Sequence, residues 1–290
     1  NYIQPKKITQ MDRIQKALDK AKAKQDGKQR DDLPKNVAGN IAGSDRKKTE
    51  IEAPGVQEIT YSQTKVVNVS EKTLADNRVI AAQYSNPQSG VFRMLRTQVL
   101  KKMREKNWQT IAVTSPTAGE GKSLVASNLA VAMAMETNQT VLLVDLDLRN
   151  PRLNKYFGFD VKAGLKDYLE SKADFPEILI NPGINGLVIL PGDGRAEDSA
   201  ELLSGFRMKN LVSELKARYR SRMIIFDMPP VLQTDDVLLA SNFIDCGLIV
   251  IEDGRNKESE IVKTIQLLEG TPLVGSVLNK SEKPPVHQNY

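Results

Sequence analysis

A short stretch near the middle of the chain holds residues that suit phosphate chemistry. Residues 114–123, TSPTAGEGKS, nearly match the pattern G-x-x-x-x-G-K-[ST] of loops that bind phosphate groups. Gly119 and Gly121 allow the backbone to curl, so that its N–H groups can converge on phosphate oxygens. Lys122 would reach the terminal phosphates, and the Ser123 hydroxyl is a hard oxygen ligand of the kind that Mg²⁺ prefers.

The first glycine of this pattern is replaced by Pro116, whose fixed φ can pre-shape a turn. A glycine turn with a chance Gly-Lys-Ser triplet is the alternative interpretation. The flanking sequence favours a phosphate loop, because an apolar strand pattern leads in and a helical pattern leads out. Asn279, at the end of a late strand pattern, is a candidate for hydrogen bonding to a base, although asparagine is also common in turns. The predicted nucleotide-binding residues are therefore Thr117, Ala118, Gly119, Glu120, Gly121, Lys122, Ser123, Leu124 and Asn279.

Acidic residues follow two further apolar stretches. VLLVDLDLR (141–149) ends with Asp145 and Asp147 two residues apart, and MIIFDMPP (223–230) carries Asp227. Carboxylates at the carboxyl edge of a parallel sheet face the ligand crevice, where they can orient Mg²⁺ waters or accept a proton. A strand-end turn is the alternative interpretation of each aspartate taken alone, but the nearby phosphate-loop pattern favours a nucleotide site.

The elements that must position these residues follow a regular alternation. From residue 108 onwards, short runs that are apolar on both faces alternate with helical segments, which is typical of a covered parallel sheet. We therefore predict a doubly wound α/β domain with a mainly parallel sheet and a phosphate-loop core. The predicted strands are 110–115, 141–147, 186–191, 223–230, 247–253 and 273–279, and the predicted helices are 123–135, 208–219, 235–243 and 259–269.

Four regions are predicted along the chain. Residues 1–56 form a polar basic extension and linker, 57–107 a lead-in segment, 108–282 the nucleotide-binding domain and 283–290 a tail. Within the lead-in, KVVNVS (65–70) resembles a short strand, and 89–103 a helix with Val91, Leu95, Val99 and Leu100 as its apolar face. The extension holds a thin helical stripe of Met11, Ile14, Leu18 and Ala21, which suits either docking on a partner or membrane surface or a solvated helix.

Composition excludes several other functions. The net charge is +5, and residues 1–60 hold 13 Lys or Arg against 9 Asp or Glu, so the core is not a basic clamp for nucleic acid. A single cysteine, Cys246, and a single histidine, His287, exclude an internal disulfide and make a histidine metal site or a Ser-His-Asp triad implausible. We expect Cys246 to be a buried structural thiol. No apolar run is long enough to span a bilayer, and the start lacks the apolar segment of a signal peptide.

The three motifs in order resemble those of the bacterial tyrosine kinases of capsule and exopolysaccharide synthesis. TSPTAGEGKS is similar to their first nucleotide motif, VLLVDLDLR to the second and IIFDMPPV to the third, and the resemblance covers roughly residues 85–280. It implies a deviant Walker-type ATPase fold that acts as an ATP-dependent protein-tyrosine autokinase. Lys122, Asp145 and Asp147 are then expected to be catalytic, and Ser123, Asp145 and Asp227 to surround Mg²⁺.

The resemblance also implies partners. The substrate would be a tyrosine of the chain's own C-terminal tail in a neighbouring subunit of a homo-oligomer, and a separate membrane polysaccharide co-polymerase would be the activator. The kinase would then work in the cytoplasm, recruited to the inner face of the membrane. Members carry a C-terminal tyrosine cluster, whereas this tail has only Tyr290, the autophosphorylation candidate. Their E-x-x-R-x-x-R helix makes ring contacts; Arg93 and Arg96 match it as oligomer-contact candidates, but Gly90 replaces the glutamate.

Two other functions remain open at this point. One is a related ATPase switch of the partition or positioning type, which hydrolyses ATP with water as the acceptor. Those ATPases carry a second lysine in the loop where this chain has Thr117, which favours the kinase, whereas the single tail tyrosine favours the switch. The other is a nucleotide-binding partner module without catalysis. The sequence does not identify the polysaccharide or the activator.

Overall fold

The structure is a computed structural model that describes residues 64–137, 139–218 and 221–282. The predicted helical stripe of the N-terminal extension lies outside the described residues, and so does Tyr290.

Strands and helices alternate along the described part of the chain. The strands are β1 (Lys65–Val66), β2 (Thr110–Thr114), β3 (Thr140–Asp145), β4 (Ile180–Asn181), β5 (Leu187–Leu190), β6 (Arg222–Asp227), β7 (Cys246–Glu252) and β8 (Leu273–Asn279). The α-helices are α1 (Glu71–Asp76), α2 (Ser89–Glu105), α3 (Lys122–Ala134), α4 (Leu153–Phe157), α5 (Leu165–Leu169), α6 (Ser199–Ser204), α7 (Phe206–Arg218), α8 (Asp236–Ala240) and α9 (Glu258–Leu267). Single turns of 3₁₀ helix occupy Phe175–Ile178 and Ser241–Phe243.

The strands form one sheet in the order β1-β4-β5-β3-β6-β2-β7-β8. Every neighbouring pair runs parallel except β4 and β5, which run antiparallel. Because the carboxyl ends of the parallel strands meet at one edge, side chains that follow β2, β3 and β6 are brought together there. The predicted doubly wound α/β fold with a mainly parallel sheet is confirmed.

Both faces of the sheet are covered by apolar side chains. Along β3, Leu142 and Val144 point into one buried cluster, and Val141 and Leu143 point into a second cluster on the opposite face. Because both faces of the sheet are covered, successive strand residues are all apolar instead of alternating between apolar and polar. Each buried aliphatic side chain contributes roughly 1.5–3 kcal/mol to the free energy of unfolding, so the sheet is a rigid base for the residues at its edge.

The structure also corrects details of the predicted elements. β3 ends at Asp145, so Asp147 follows the strand instead of lying on it. The predicted strand at 65–70 is reduced to two residues, although the N–H groups of Val67 and Val69 still donate to the carbonyl oxygens of Asn181 and Pro182, at 2.8 and 3.3 Å, before α1 begins.

On α2 the predicted Val99 and Leu100 are buried and Leu95 packs partly buried against the core, but Val91 is half exposed, and Met103 joins the buried face. The second half of the helix is the most deeply buried, while Ser89, Phe92 and Leu95 also hold its first half against the core and leave Val91 and Met94 exposed.

Cys246 begins β7 and is fully buried, as predicted. Its thiol lies 3.5 Å from the carbonyl oxygen of Thr110, and burial raises the pKa of the thiol. A buried thiol with a raised pKa is chemically inert at neutral pH, so Cys246 fills space in the core.

Candidate active site

The segment between β2 and α3 has the backbone geometry of a phosphate-binding loop. Gly119 and Gly121 adopt left-handed conformations, with φ of 96° and 92°, which side chains disfavour. Gly121 immediately precedes α3 and lacks a side chain, so it cannot cap the helix itself. The N–H groups of the first helical turn and the positive end of its dipole are therefore suited to bind an anion.

The segment that carries the two prolines of the third motif holds the start of this loop in place. Thr114 at the end of β2 donates its hydroxyl to the carbonyl oxygen of Pro229 at 2.7 Å. The N–H groups of Val231 and Leu232 donate to the carbonyl oxygens of Ser115 and Pro116, at 2.9 and 3.1 Å. The chain after β6 thus runs alongside the start of the phosphate loop, which explains how the first and third motifs act as one structural unit.

Glu120 supports the loop from inside the protein. Its side chain is fully buried, and Oε1 accepts hydrogen bonds from the Thr117 N–H at 2.9 Å, from the Thr117 hydroxyl, and from Asn256 Nδ2 at 2.9 Å. The position of Thr117 is therefore set by a buried carboxylate rather than by contact with solvent. Asn256 lies just beyond β7, in the turn EDGRNK, and sequence reasoning missed it because asparagine is ordinary in turns.

Asn279 lies beside the phosphate loop, as does the lysine that follows it. Its side-chain Nδ2 donates to the carbonyl oxygen of Glu120 at 2.7 Å, and Lys280 Nζ donates to that of Gly119 at 2.8 Å. A Cβ on Gly121 would come within 2.3 Å of Asn279 Nδ2, so this contact requires glycine. The role of Asn279 in binding a base stays a prediction, since its amide is used here to hold the loop.

Asp145 and Asp227 form a buried acidic pair. They are register partners at the ends of the neighbouring strands β3 and β6, and neither is exposed to solvent. Asp145 Oδ2 accepts from the N–H groups of Arg152 and Leu153, at 2.9 and 3.0 Å, whereas its Oδ1 has no hydrogen-bond partner in the described part of the chain. Neither oxygen of Asp227 has a well-formed hydrogen bond there.

Burial dominates the protonation of this pair. Burial, followed by the charge of Asp227, raises the pKa of Asp145 to about 8. Burial raises the pKa of Asp227 to about 6, against the opposing effects of the Lys122 ammonium and a nearby Ser123 hydroxyl. Two buried carboxylates side by side cannot both ionise easily, so the site favours a bound cation or a proton.

Lys122 is turned towards the second motif. Its Nζ lies 2.7 Å from Asp147 Oδ2, and both side chains are largely buried. Burial alone would lower the pKa of Lys122, but the charges of Asp227 and Asp147 outweigh it, so the pKa is raised and the ammonium stays charged. Although Asp147 lies beyond the strand, it reaches the same site as Asp145, and the structure brings together the predicted catalytic residues.

These residues suit the phosphates of a nucleotide and a divalent cation. Lys122 and the open helix start would hold phosphates, while Ser123, the free Oδ1 of Asp145 and the Asp227 carboxylate offer oxygen ligands. The described residues contain no group of three or more His, Cys, Asp or Glu side chains that would form a complete metal cage. Mg²⁺ typically takes only one or two carboxylates and completes its shell with water and phosphate oxygens.

A basic cavity of about 620 Å³ opens beside the acidic pair. Gly192, two residues after β5, lies between the cavity and Asp145, since a Cβ there would stand 2.5 Å from Pro151 Cβ and 3.7 Å from Asp145 Cγ. Sequence reasoning missed this cavity, because its two walls are distant in the chain. Its lining is Arg149, Asn150, Pro151, Asn154, Lys155, Gly192, Asp193, Gly194 and Arg195.

The predicted oligomer-contact residues lie on α2, away from the acidic pair, and both make contacts within the chain. Arg96 forms an ion pair with Glu136 at 3.0 Å and donates to the carbonyl oxygen of Ala132 at 3.2 Å. Arg93 donates to the Ser89 hydroxyl at 2.7 Å and lies over the ring of Tyr84. Their role in oligomer contacts stays a prediction.

Among the described residues, no helix is both long enough and apolar enough to cross a membrane.

Comparison with known proteins agrees with this geometry. Residues 111–289 match the family described as CobQ/CobB/MinD/ParA nucleotide binding domain. That range contains all three motifs and both members of the acidic pair. It shows that the core of the chain is a nucleotide-binding domain.

Individual relatives indicate the kind of protein more specifically than the family match does. The chain is 31% identical over 201 residues to the tyrosine-protein kinase YwqD of Bacillus subtilis, covering 69% of this chain and 83% of that protein. It is 29% identical over 189 residues to the tyrosine-protein kinase etk of Escherichia coli, covering 64% of this chain, but it spans only 26% of the length of etk. The crystal structure of the chimerical protein CapA2B2 superposes with a TM-score of 0.67 and 28% identity, over 76% of this chain and 94% of that one. The chain belongs to the bacterial tyrosine-protein kinases, within the CobQ/CobB/MinD/ParA family of nucleotide-binding domains.

Proposed function

We propose that this chain uses ATP and Mg²⁺ to phosphorylate its own tyrosines and thereby regulates exopolysaccharide or capsule synthesis and export. The observation that carries the proposal is the buried pair of Asp145 and Asp227 beside the phosphate loop, with carboxylate oxygens that lack partners. An unsatisfied buried carboxylate costs stability, so its retention indicates a ligand that satisfies it.

The residues of this chain have separable roles in that reaction. The phosphate loop and Lys122 bind and orient the phosphates, while Ser123 and Asp227 hold the metal side of the site. Asp145 accepts the proton of the attacking tyrosine hydroxyl, and Asp147 keeps Lys122 and the surroundings of the metal in position. When bound, Mg-ATP supplies the transferable phosphoryl group and neutralises charge that develops on it. Positioning and electrostatic stabilisation account for most catalysis of this kind.

The acceptor and the partners extend the proposal. Tyr290 is the proposed tail acceptor, presented by a neighbouring subunit of a homo-oligomer. The activator is proposed to be a separate membrane polysaccharide co-polymerase that recruits the kinase to the inner face of the membrane. The half-exposed Val91, Met94 at the exposed start of α2 and the adjacent Arg93 support an oligomer contact on that helix.

The test is phosphate transfer by the purified full chain with Mg-ATP, with and without a candidate activator domain. Phosphotyrosine detected by mass spectrometry supports the kinase, and omission of Mg²⁺ with a chelator should abolish it. The ATPase switch makes the opposite prediction, which is steady release of inorganic phosphate with no labelled tyrosine. The relatives described above are named tyrosine-protein kinases, which favours the kinase.

A further inference from the structure

The basic cavity beside Asp145 carries positively charged side chains that have no role in the proposed binding of the nucleotide. Lys155 and Arg195 are exposed at its rim, and neither forms an ion pair with another described residue. Arg149, the third cation, is tied to Asp236 at 3.4 Å and to the Ser199 hydroxyl at 2.9 Å. One acid, Asp193, shares the lining. With Arg149 paired to Asp236, the remaining lining charges are Lys155 and Arg195 against Asp193, a net positive charge that suits an anionic ligand. The nearness of Asp145 suits a ligand that is to react.

The tyrosine segments of this chain differ in charge. Residues 49–64, TEIEAPGVQEITYSQT, hold Glu50, Glu52 and Glu58 with no lysine or arginine, and Tyr61 follows them. The tail from residue 280, KSEKPPVHQNY, holds two lysines and one glutamate around Tyr290. By charge complementarity, a basic cavity favours the Tyr61 segment over the tail.

The direction of β1 brings the chain to this edge of the sheet. β1 runs parallel to β4, and β4 runs antiparallel to β5, so β1 runs opposite to the strands that end at the active site. Lys65 pairs with Ile180, which pairs with Ile189 one residue before β5 ends. The first residue of β1, Lys65, therefore lies towards the edge of the sheet where residues 192–195 line the cavity.

The chain between Tyr61 and Lys65 is long enough for Tyr61 to reach the cavity. Tyr61 is four residues before Lys65, which corresponds to about 13 Å of extended chain. Gly192 is three residues beyond Ile189, or about 10 Å along the same direction, and two strand spacings separate β1 from β5 by about 10 Å. A tyrosine side chain crosses much of that lateral gap.

We propose that the cavity of Arg149, Lys155 and Arg195 is an acceptor subsite for an acidic tyrosine segment, and that Glu50–Tyr61 of the same chain is its occupant, with Tyr61 as a phosphorylation site. This inference rests on the proposed kinase function. The Tyr61 hydroxyl gives its proton to Asp145, and its oxygen forms the new bond to the γ-phosphorus of ATP. The bond from that phosphorus to the β,γ-bridging oxygen breaks, and ADP leaves.

The first experiment maps the phosphorylated residues of the full chain incubated with Mg-ATP. The inference predicts phosphate on Tyr61, which Tyr61→Phe removes while Tyr290 remains labelled. Phosphate on Tyr290 with Tyr61 unmodified would overturn the inference and leave the kinase function intact. Absence of phosphate from every tyrosine, even with an activator domain, would contradict the kinase function itself.

A charge exchange tests the cavity. Arg195→Glu should slow Tyr61 labelling about fivefold, the size expected for an exposed ion pair. Glu58→Arg alone should slow it similarly, and the double variant Arg195→Glu with Glu58→Arg should restore it, which a merely destabilised chain would not do. Equal labelling in all four proteins, or slowing without restoration, would overturn the subsite.

A mixing experiment tests whether the segment acts within its own chain. Tyr61→Phe, which retains the catalytic residues, is mixed with Lys122→Ala, which retains Tyr61 but lacks the phosphate-binding lysine. Reaction within one chain predicts no label on Tyr61 of the inactive chain at any concentration. Label on that tyrosine would overturn the assignment of the occupant to the same chain.

Discussion

Asp145 and Asp227 lie side by side at the carboxyl ends of adjacent parallel strands, fully buried, with carboxylate oxygens that no described residue satisfies. The phosphate loop lies next to them because its start is hydrogen-bonded to the segment that follows Asp227. This relationship makes the site unfavourable when empty and suited to a cation.

Asp227→Asn keeps the shape of the side chain and removes its charge. We expect the rate of tyrosine phosphorylation to fall by about 100-fold or more, because a metal-side carboxylate is lost. The free energy of unfolding of the empty chain should rise by about 1 kcal/mol, because a buried repulsion is relieved. Labelling kinetics and denaturant unfolding measure the two effects.

Asp245→Asn is a matched control for that variant. Asp245 accepts hydrogen bonds from the N–H groups of Gln109 and Thr110 and pairs with Lys216 at 2.8 Å; although burial opposes it, these contacts lower the pKa of Asp245. Its neutralisation should cost about 1–2 kcal/mol of stability and leave the labelling rate nearly unchanged. An Asp227→Asn protein that labels tyrosine as fast as the control would contradict its assigned role.

The pH dependence of stability has a definite sign. The pKa of Asp145 is about 8 and that of Asp227 about 6, both above the ordinary value of 3.8. Between about pH 4 and pH 8 the folded chain therefore binds more protons than the unfolded chain, so the free energy of unfolding falls as pH rises. Lys122, Asp147 and Arg152 face the pair and modulate these values.

Thermal unfolding of the empty chain checks this dependence. The Tm should be lower at pH 8 than at pH 5.5, and Asp145→Asn should flatten the slope, with a gain of about 1–3 kcal/mol at pH 8. Mg-ATP should release protons on binding, measurable by calorimetry in buffers of different ionisation enthalpy. The same pH slope in Asp145→Asn and the parent chain would count against the raised pKa of Asp145.

Asn256→Ala tests the buried support of the phosphate loop. It removes a hydrogen bond to Glu120 inside the protein, which should lower stability by about 1–3 kcal/mol and weaken ATP binding. Asn242→Ala is the control, because its exposed amide makes only a 3.4 Å contact and should change stability by less than about 0.5 kcal/mol. Equal ATP affinity in both variants would show that Glu120 does not need Asn256.

Asn279→Ala separates the support of the loop from recognition of a base. If the amide only holds the carbonyl oxygen of Glu120, affinities for ATP and GTP should fall by the same factor, about tenfold. If it also binds adenine, ATP should lose more than GTP. Competition with a fluorescent nucleotide measures both affinities, and unchanged binding of both would exclude either role.

Much of the fold was predictable because it depends on local patterns. Strands apolar on both faces and the Gly-Lys-Ser loop are encoded within short windows, and the predicted strand at 273–279 has the same bounds as β8. The end of β3 was predicted wrongly, because Leu146 and Leu148 continue the alternating pattern of apolar residues although the strand ends at Asp145. The apolar periodicity of these residues reflects their burial in the core and not hydrogen bonding within the sheet.

The residues of the site were predictable only where they belong to a sequence motif. Lys122, Asp145, Asp147 and Asp227 gather at one edge because parallel strands end there. Asn256 was missed because its partner, Glu120, lies 136 residues away in the chain. The basic cavity was missed because its lining comes from two separate loops. Only the folded sheet brings them together.

The most direct test of the central claim is a quantitative phosphotyrosine map of the full chain with Mg-ATP, compared with Lys122→Ala. Lys166→Ala, which changes a partly buried lysine whose Nζ donates to the carbonyl oxygen of Arg195 at 3.1 Å, is the matched control. The account predicts phosphotyrosine in the parent chain and in Lys166→Ala, and its loss by at least about 100-fold in Lys122→Ala. Undiminished labelling in Lys122→Ala, or phosphate release from the parent chain with no labelled tyrosine, would contradict it.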